Sequence, residues 1–120
     1  MNTPNSLFMT RQPNAKQLWI GVVEVRPLKP GSEILGNTKG AFVNFVTWAC
    51  STEQYEQNVR IVVSELGLFV GEVINPEPVA RRRNREGRFI EEIEDIISRA
   101  EDSPDATIYG IFHTFENDNA

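Results

Sequence analysis

His113 is the only histidine and Cys50 the only cysteine in the chain, and they are the first residues to weigh for nucleophilic chemistry. A thiol just ahead of a helix ionises more readily, because the exposed N–H groups there favour the thiolate. Cys50 with His113 is therefore the one nucleophile–base pairing of that kind the composition allows. The competing reading is a small buried thiol and a histidine held among strand aromatics. Glu24 and Glu72 each interrupt an apolar strand. Buried together they could share a proton or divide acid and base roles; at strand ends or a sheet edge they would simply meet water. Asn44, polar in mid-strand, must find partners wherever it is buried.

Metal and phosphate chemistry find little support. One His, one Cys and no tight carboxylate spacing cannot build a zinc or calcium cage, so neither metal nor cofactor is expected. The stretch Gly36–Gly40 (GNTKG) is glycine-flanked, but it lacks Gly-Lys-Ser/Thr. It also precedes a strand, so no helix N-terminus would face a phosphate.

Charge is the sharper signal. Five arginines, Arg81, Arg82, Arg83, Arg85 and Arg88, fall within eight residues. They precede a helical pattern, where arginine opposes the helix dipole, so helix stability does not explain them. A solvated loop is the first reading, contact with an acidic protein the second, and a grip on phosphate or RNA the third. Immediately beyond stand Glu91, Glu92, Glu94 and Asp95. Residues 1–89 hold 11 basic and 8 acidic side chains, whereas residues 90–120 hold one basic residue, Arg99, and nine acidic ones. The net charge of −5 disfavours nucleic acid and anionic lipid as partners and favours a basic protein.

These groups need a scaffold. Residues 18–26 are dense in β-branched and aromatic types and predict a strand, as do 41–49, 68–74 and 106–115. Ser51 and Gln54 fit a capping box. Tyr55, Val59, Val62, Val63 and Leu66 then form one helical stripe, closed by Gly67. A second helix is predicted from about 86 to 101, its stripe made of Phe89, Ile90, Ile93, Ile96, Ile97 and Ala100. The long connection 27–39 joins the first two strands. Residues 1–17 read as a flexible tail, 18–116 as a single α+β domain and 117–120 as a short tail.

The order ββαβαβ predicts a single mixed four-stranded sheet with two helices packed on one face. Four strands span roughly 19 Å, and two helices cover one face of that width. Both faces of the strands are apolar, so the second face needs a cover. A homodimer through that sheet face is the expected solution, with the 1–17 tail and the 27–39 loop as the alternative. No signal-peptide pattern and no bilayer-length apolar run occurs, which makes a cytoplasmic location the default.

Catalytic groups being sparse, the expected function is a non-enzymatic protein-interaction module, such as a small acidic inhibitor of immunity type. Its expected contact residues are the five arginines and the acids 91, 92, 94 and 95. The alternative is a dimeric small-ligand binder with a pocket lined by Trp19, Trp48, Tyr109, Phe112 and His113.

Overall fold

In the computed structural model, residues 15–116 are described. The expected tails fall largely on 1–14 and 117–120, outside the described residues. The first strand begins at Gln17. Two β-rich runs make long strands, β1 (Gln17–Pro27) and β2 (Gly40–Ala49), paired antiparallel from Gln17–Ala49 to Val25–Ala41. Between them the 28–39 connection turns on Gly31 and Gly36, both at positive φ, and drops Leu35 into the core at 3% exposure.

Helix α1 (Thr52–Glu65) follows its local signals. Ser51 accepts from the Gln54 amide, and Gln54 reaches back to accept from the Cys50 amide at 2.7 Å. Tyr55, Val59 and Val63 are buried, with Val62 and Leu66 packed beside them, and Gly67 leaves the helix at φ 76°. Strand β3 (Leu68–Pro78) runs antiparallel to β1. It runs past the expected end at Ile74 and through the Asn-Pro-Glu-Pro stretch. Because β3 lies at the edge of the sheet, prolines cost it no ladder bond on the outer side. Register shifts opposite Gly21 and Gly71, with Asn75 at φ 50°, bend this edge away from further pairing.

The fold expectation is then corrected. The sheet has five strands and the domain three helices among the described residues, not four and two. Arginine-rich residues 79–86 form a helix of their own, α2 (Val79–Glu86), broken at Gly87 with φ 84°. Helix α3 (Glu91–Glu101) starts only after Ile90. The last run splits into β4 (Thr107–Tyr109) and β5 (His113–Phe115), both antiparallel to β2. In the gap the Ile111 amide donates to the Glu92 carboxylate on α3, and Gly110 passes so close that a Cβ there would sit 2.7 Å from Glu92 Oε2. The Gly110 amide still donates to the Asn44 carbonyl of β2, and a side chain from another element satisfies the amide that follows it. The sheet order is β3-β1-β2-β4, with β5 beside β4 on the same flank of β2, and every neighbouring pair is antiparallel. Strands β2 and β3, both antiparallel to β1, are therefore parallel to each other, and α1 connects them.

The helices also lie on two faces, not one. On the first face Val23, Val43 and Phe45 pack under Tyr55, Val59 and Val63 of α1. On the opposite face Leu18, Ile20 and Val46 pack under Ile96, Ile97 and Ala100 of α3, joined by Trp48 and Ile108. The far end of that second face is closed by Phe115, 7% exposed, tilted against Phe42 and under the Arg26 guanidinium. The apolar second face that motivated a homodimer is thus covered largely by the chain itself.

Phe115 rests against Gly40, where a Cβ would meet the Val25 carbonyl oxygen at 2.6 Å and the Phe115 ring at 2.7 Å. The first contact is backbone in a paired strand and cannot swing aside. Gly40→Ala is expected to cost about 2–3 kcal/mol in urea denaturation, at the upper end for overpacking. An unchanged midpoint would show that this end of the sheet is looser than these contacts require.

Candidate interaction surface on the second and third helices

Helix α2 starts directly from the edge strand, with Pro78 at its N-cap. The arginine cluster therefore lies on a helix, with Arg83 and Arg85 in its last turn, where positive charge suits the helix dipole. The conflict with the dipole that the sequence implied is thus relieved for Arg83 and Arg85, whereas Arg81 stays in the first turn of α2.

Glu77 organises much of the cluster. It stands between the two prolines at the end of β3, and its side chain is 11% exposed. Arg82 Nε donates to it at 2.6 Å, and Arg85 donates through both terminal nitrogens at 2.9 and 2.7 Å. Arg82 Nη2 also donates to the Asn75 carbonyl. The bonds from Arg85, against the opposing effect of desolvation and with help from Arg82, hold the Glu77 carboxyl down from 4.5 to about 2. Arg83 pairs with Glu94 of α3 and lies 5.4 Å over the Phe89 ring. Glu94 in turn accepts from the Phe89 amide. Desolvation pushes the Glu94 carboxyl up, but the Phe89 amide and Arg83 outweigh it and the net shift is downward. Three arginines are thus spent stitching α2 to β3 and α3. Arg81 and Arg88 have no hydrogen-bonded or ion-pair partner among the described residues.

The acidic stretch divides in the same way. Glu92 and Glu94 face inward and hold backbone amides, while Glu91 and Asp95 are exposed, Asp95 paired only with Arg99 one turn on. Beside α3 runs a groove of about 600 Å3 lined by Glu91, Asp95, Tyr109, Gly110 and Ile111, among others. Ile111, 58% exposed, forms its apolar rim.

The aromatic set does not converge. Trp19 lies 6.5 Å from Tyr55 on the α1 face, where Tyr109 and Phe112 also pack near Phe45. Trp48 is on the α3 face, donating its indole N–H to the Ala100 carbonyl. His113 is exposed, with Nε2 3.8 Å from Glu92.

The catalytic candidates are also apart. His113 pairs with Phe42 near the start of β2, whereas Cys50 follows its end. Phe42 and Cys50 are eight residue steps apart along the strand, roughly 26 Å. Glu24 and Glu72 are direct cross-strand partners, but Arg26 clasps the Glu24 carboxylate at 2.6 Å and Glu72 is exposed. The Asn44 side chain makes no hydrogen bond among the described residues, while its carbonyl accepts from the Gly110 amide. No group of three or more His, Cys, Asp or Glu side chains among the described residues could hold a metal ion, and no described helix is long and apolar enough to cross a membrane.

Sequence reasoning passed over Glu77 as part of a turn. The signal was present: a carboxylate five and eight residues ahead of Arg82 and Arg85, placed by prolines. Ile111 was read as an ordinary strand residue, and nothing local marks it as the rim of a groove. Compared with known proteins, the chain matches no family model, no curated protein and no solved structure.

Proposed function

We propose that the chain is a non-enzymatic protein-interaction module that meets a basic partner along α3. The observation that carries this reading is the exposed groove between α3 and Tyr109–Ile111, where Glu91, unpaired among the described residues, and Asp95, paired with Arg99, stand beside an apolar rim. Carboxylates at the margin steer a basic protein inward and set register, and the exposed Ile111 offers area to bury. Its position in the acidic last quarter of the chain adds long-range attraction. An inhibitor that blankets the active site of a basic enzyme, as an immunity protein does, is the concrete form of this reading. The separation of Cys50 from His113 and the commitment of Glu24 to Arg26 support a role without catalysis.

The test uses Glu91→Lys with Asp95→Lys, because these two acids carry no fold contact beyond the exposed Asp95–Arg99 pair. Partners recovered with the tagged wild-type chain from its native host should include a basic protein. Its dissociation constant should rise tenfold or more in the double variant and rise steeply with salt. Recovery of the same partner with unchanged affinity and no salt dependence would overturn the reading.

A further inference from the structure

A second concavity lies on the other side of the arginine helix, and it uses none of the residues of the acidic groove. It is a cleft of about 520 Å3 between α2 and the irregular end of β3, within the size range of small-molecule sites. Val22 and Ile74 give its mainly polar lining an apolar portion, and Arg81, Arg82 and Arg85 line it too. Two carboxylates, Glu77 and Glu86, also line it, so three guanidinium groups leave one positive charge in excess.

The donor inventory shows where that excess is available. Arg85 is occupied by Glu77 and Glu86. Arg82 is anchored through Nε and Nη2, and its side chain is 12% exposed, yet its Nη1 donates to nothing among the described residues. The one buried side-chain nitrogen or oxygen without a partner among those residues is Trp19 Nε1. Arg82 Nη1 is therefore not sealed from solvent, and its residue lines the cleft. Arg81 is exposed and brings a whole unpaired guanidinium to the same place. One donor is thus held rigidly by Glu77 and the other is free to close. Guanidinium groups match planar or tetrahedral oxyanions through paired N–H donors, and preorganising one of them reduces the entropy lost on binding.

We propose that this cleft binds a small organic anion, its carboxylate or phosphate held by Arg81 and Arg82 and its apolar portion laid on Val22 and Ile74. Glu77 is the positioning residue: it fixes Arg82 through Nε and leaves Nη1 unspent. Two anionic probes with an aromatic body, phenyl phosphate and benzoate, separate the two chemistries. Titration of the full chain should give saturable shifts of the Arg81 and Arg82 Nε–H resonances and a rise in melting temperature with at least one probe. Response to phenyl phosphate alone assigns a phosphate ligand, and response to benzoate alone a carboxylate. Arg81→Ala, at an exposed and unpaired position, should weaken that binding by about tenfold or more. Arg88→Ala, outside the cleft, should leave it unchanged, as should the Glu91→Lys/Asp95→Lys pair. No saturable response to either probe at millimolar concentration, or a response of equal strength in Arg81→Ala, would overturn the proposal.

Discussion

Glu77→Ala is expected to destabilise the fold by about 3 kcal/mol at neutral pH, the lower end of the range for breaking a buried ion pair. The reason lies less in the lost attraction than in what is left behind. Arg82 keeps its charge in a position where its side chain is 12% exposed, with only the Asn75 carbonyl for a partner. Arg85, 52% exposed, turns to water at small cost, which is why the lower end applies. Glu77→Gln keeps the shape and one acceptor oxygen and should recover part of the loss.

The same carboxylate sets a pH dependence. Folding lowers its pKa from 4.5 to about 2, so the folded state holds its charge where the unfolded chain has taken up a proton. Its contribution is complete above about 4.5 and is lost as the pH falls through 2. The stability gap between wild type and Glu77→Ala should therefore be widest near neutrality and narrow steadily below pH 4.5. Urea denaturation at a series of pH values measures this directly. A gap that stays constant across the acid range, or that is under 1 kcal/mol at pH 7, would mean the triad is only a solvated surface cluster.

What could be read locally was read from the sequence; what depended on contact between distant segments was not. Helix α1 was legible because its cap, stripe and terminal glycine all lie within residues 51–67 and agree with one another. Strands β1 and β2 were legible from composition. Helix α2 was hidden because an arginine run has no apolar period. Its order comes instead from Glu77 and Glu94, supplied by the strand before it and the helix after it. The break between β4 and β5 was hidden because Glu92, nineteen residues away, caps the Ile111 amide. The interaction site divides along the same line. Sequence flagged the arginines and the acids as charged groups. Only the packing shows that Arg82, Arg83, Arg85, Glu92 and Glu94 are used internally, leaving Arg81, Glu91 and Asp95 to face outward.

The two-sided sheet makes its own prediction, and it separates residues that the helical pattern placed on one stripe. Ile90 and Ile96 both belonged to that stripe. In the fold Ile90 is the extended N-cap of α3 and is 65% exposed, whereas Ile96 is 1% exposed against the second face of the sheet. Ile96→Ala removes buried methyl and methylene groups from a site flanked by Ile97, Ala100 and the sheet, which cannot collapse inward to refill it. A loss of about 3–4 kcal/mol is expected, combining transfer and cavity terms. Ile90→Ala should change stability by no more than about 0.5 kcal/mol, since an exposed side chain outside the helix gives up little burial. Were both helices on the first face, the sheet side of Leu18, Ile20 and Val46 would be open, and Ile96→Ala would leave its tryptophan environment untouched. In the two-sided fold the substitution should also perturb Trp48, whose indole N–H is anchored on the Ala100 carbonyl at 2.9 Å. Equal stabilities for the two alanine variants, or an unaltered Trp48 signal alongside a large loss, would place α3 somewhere other than on the second face.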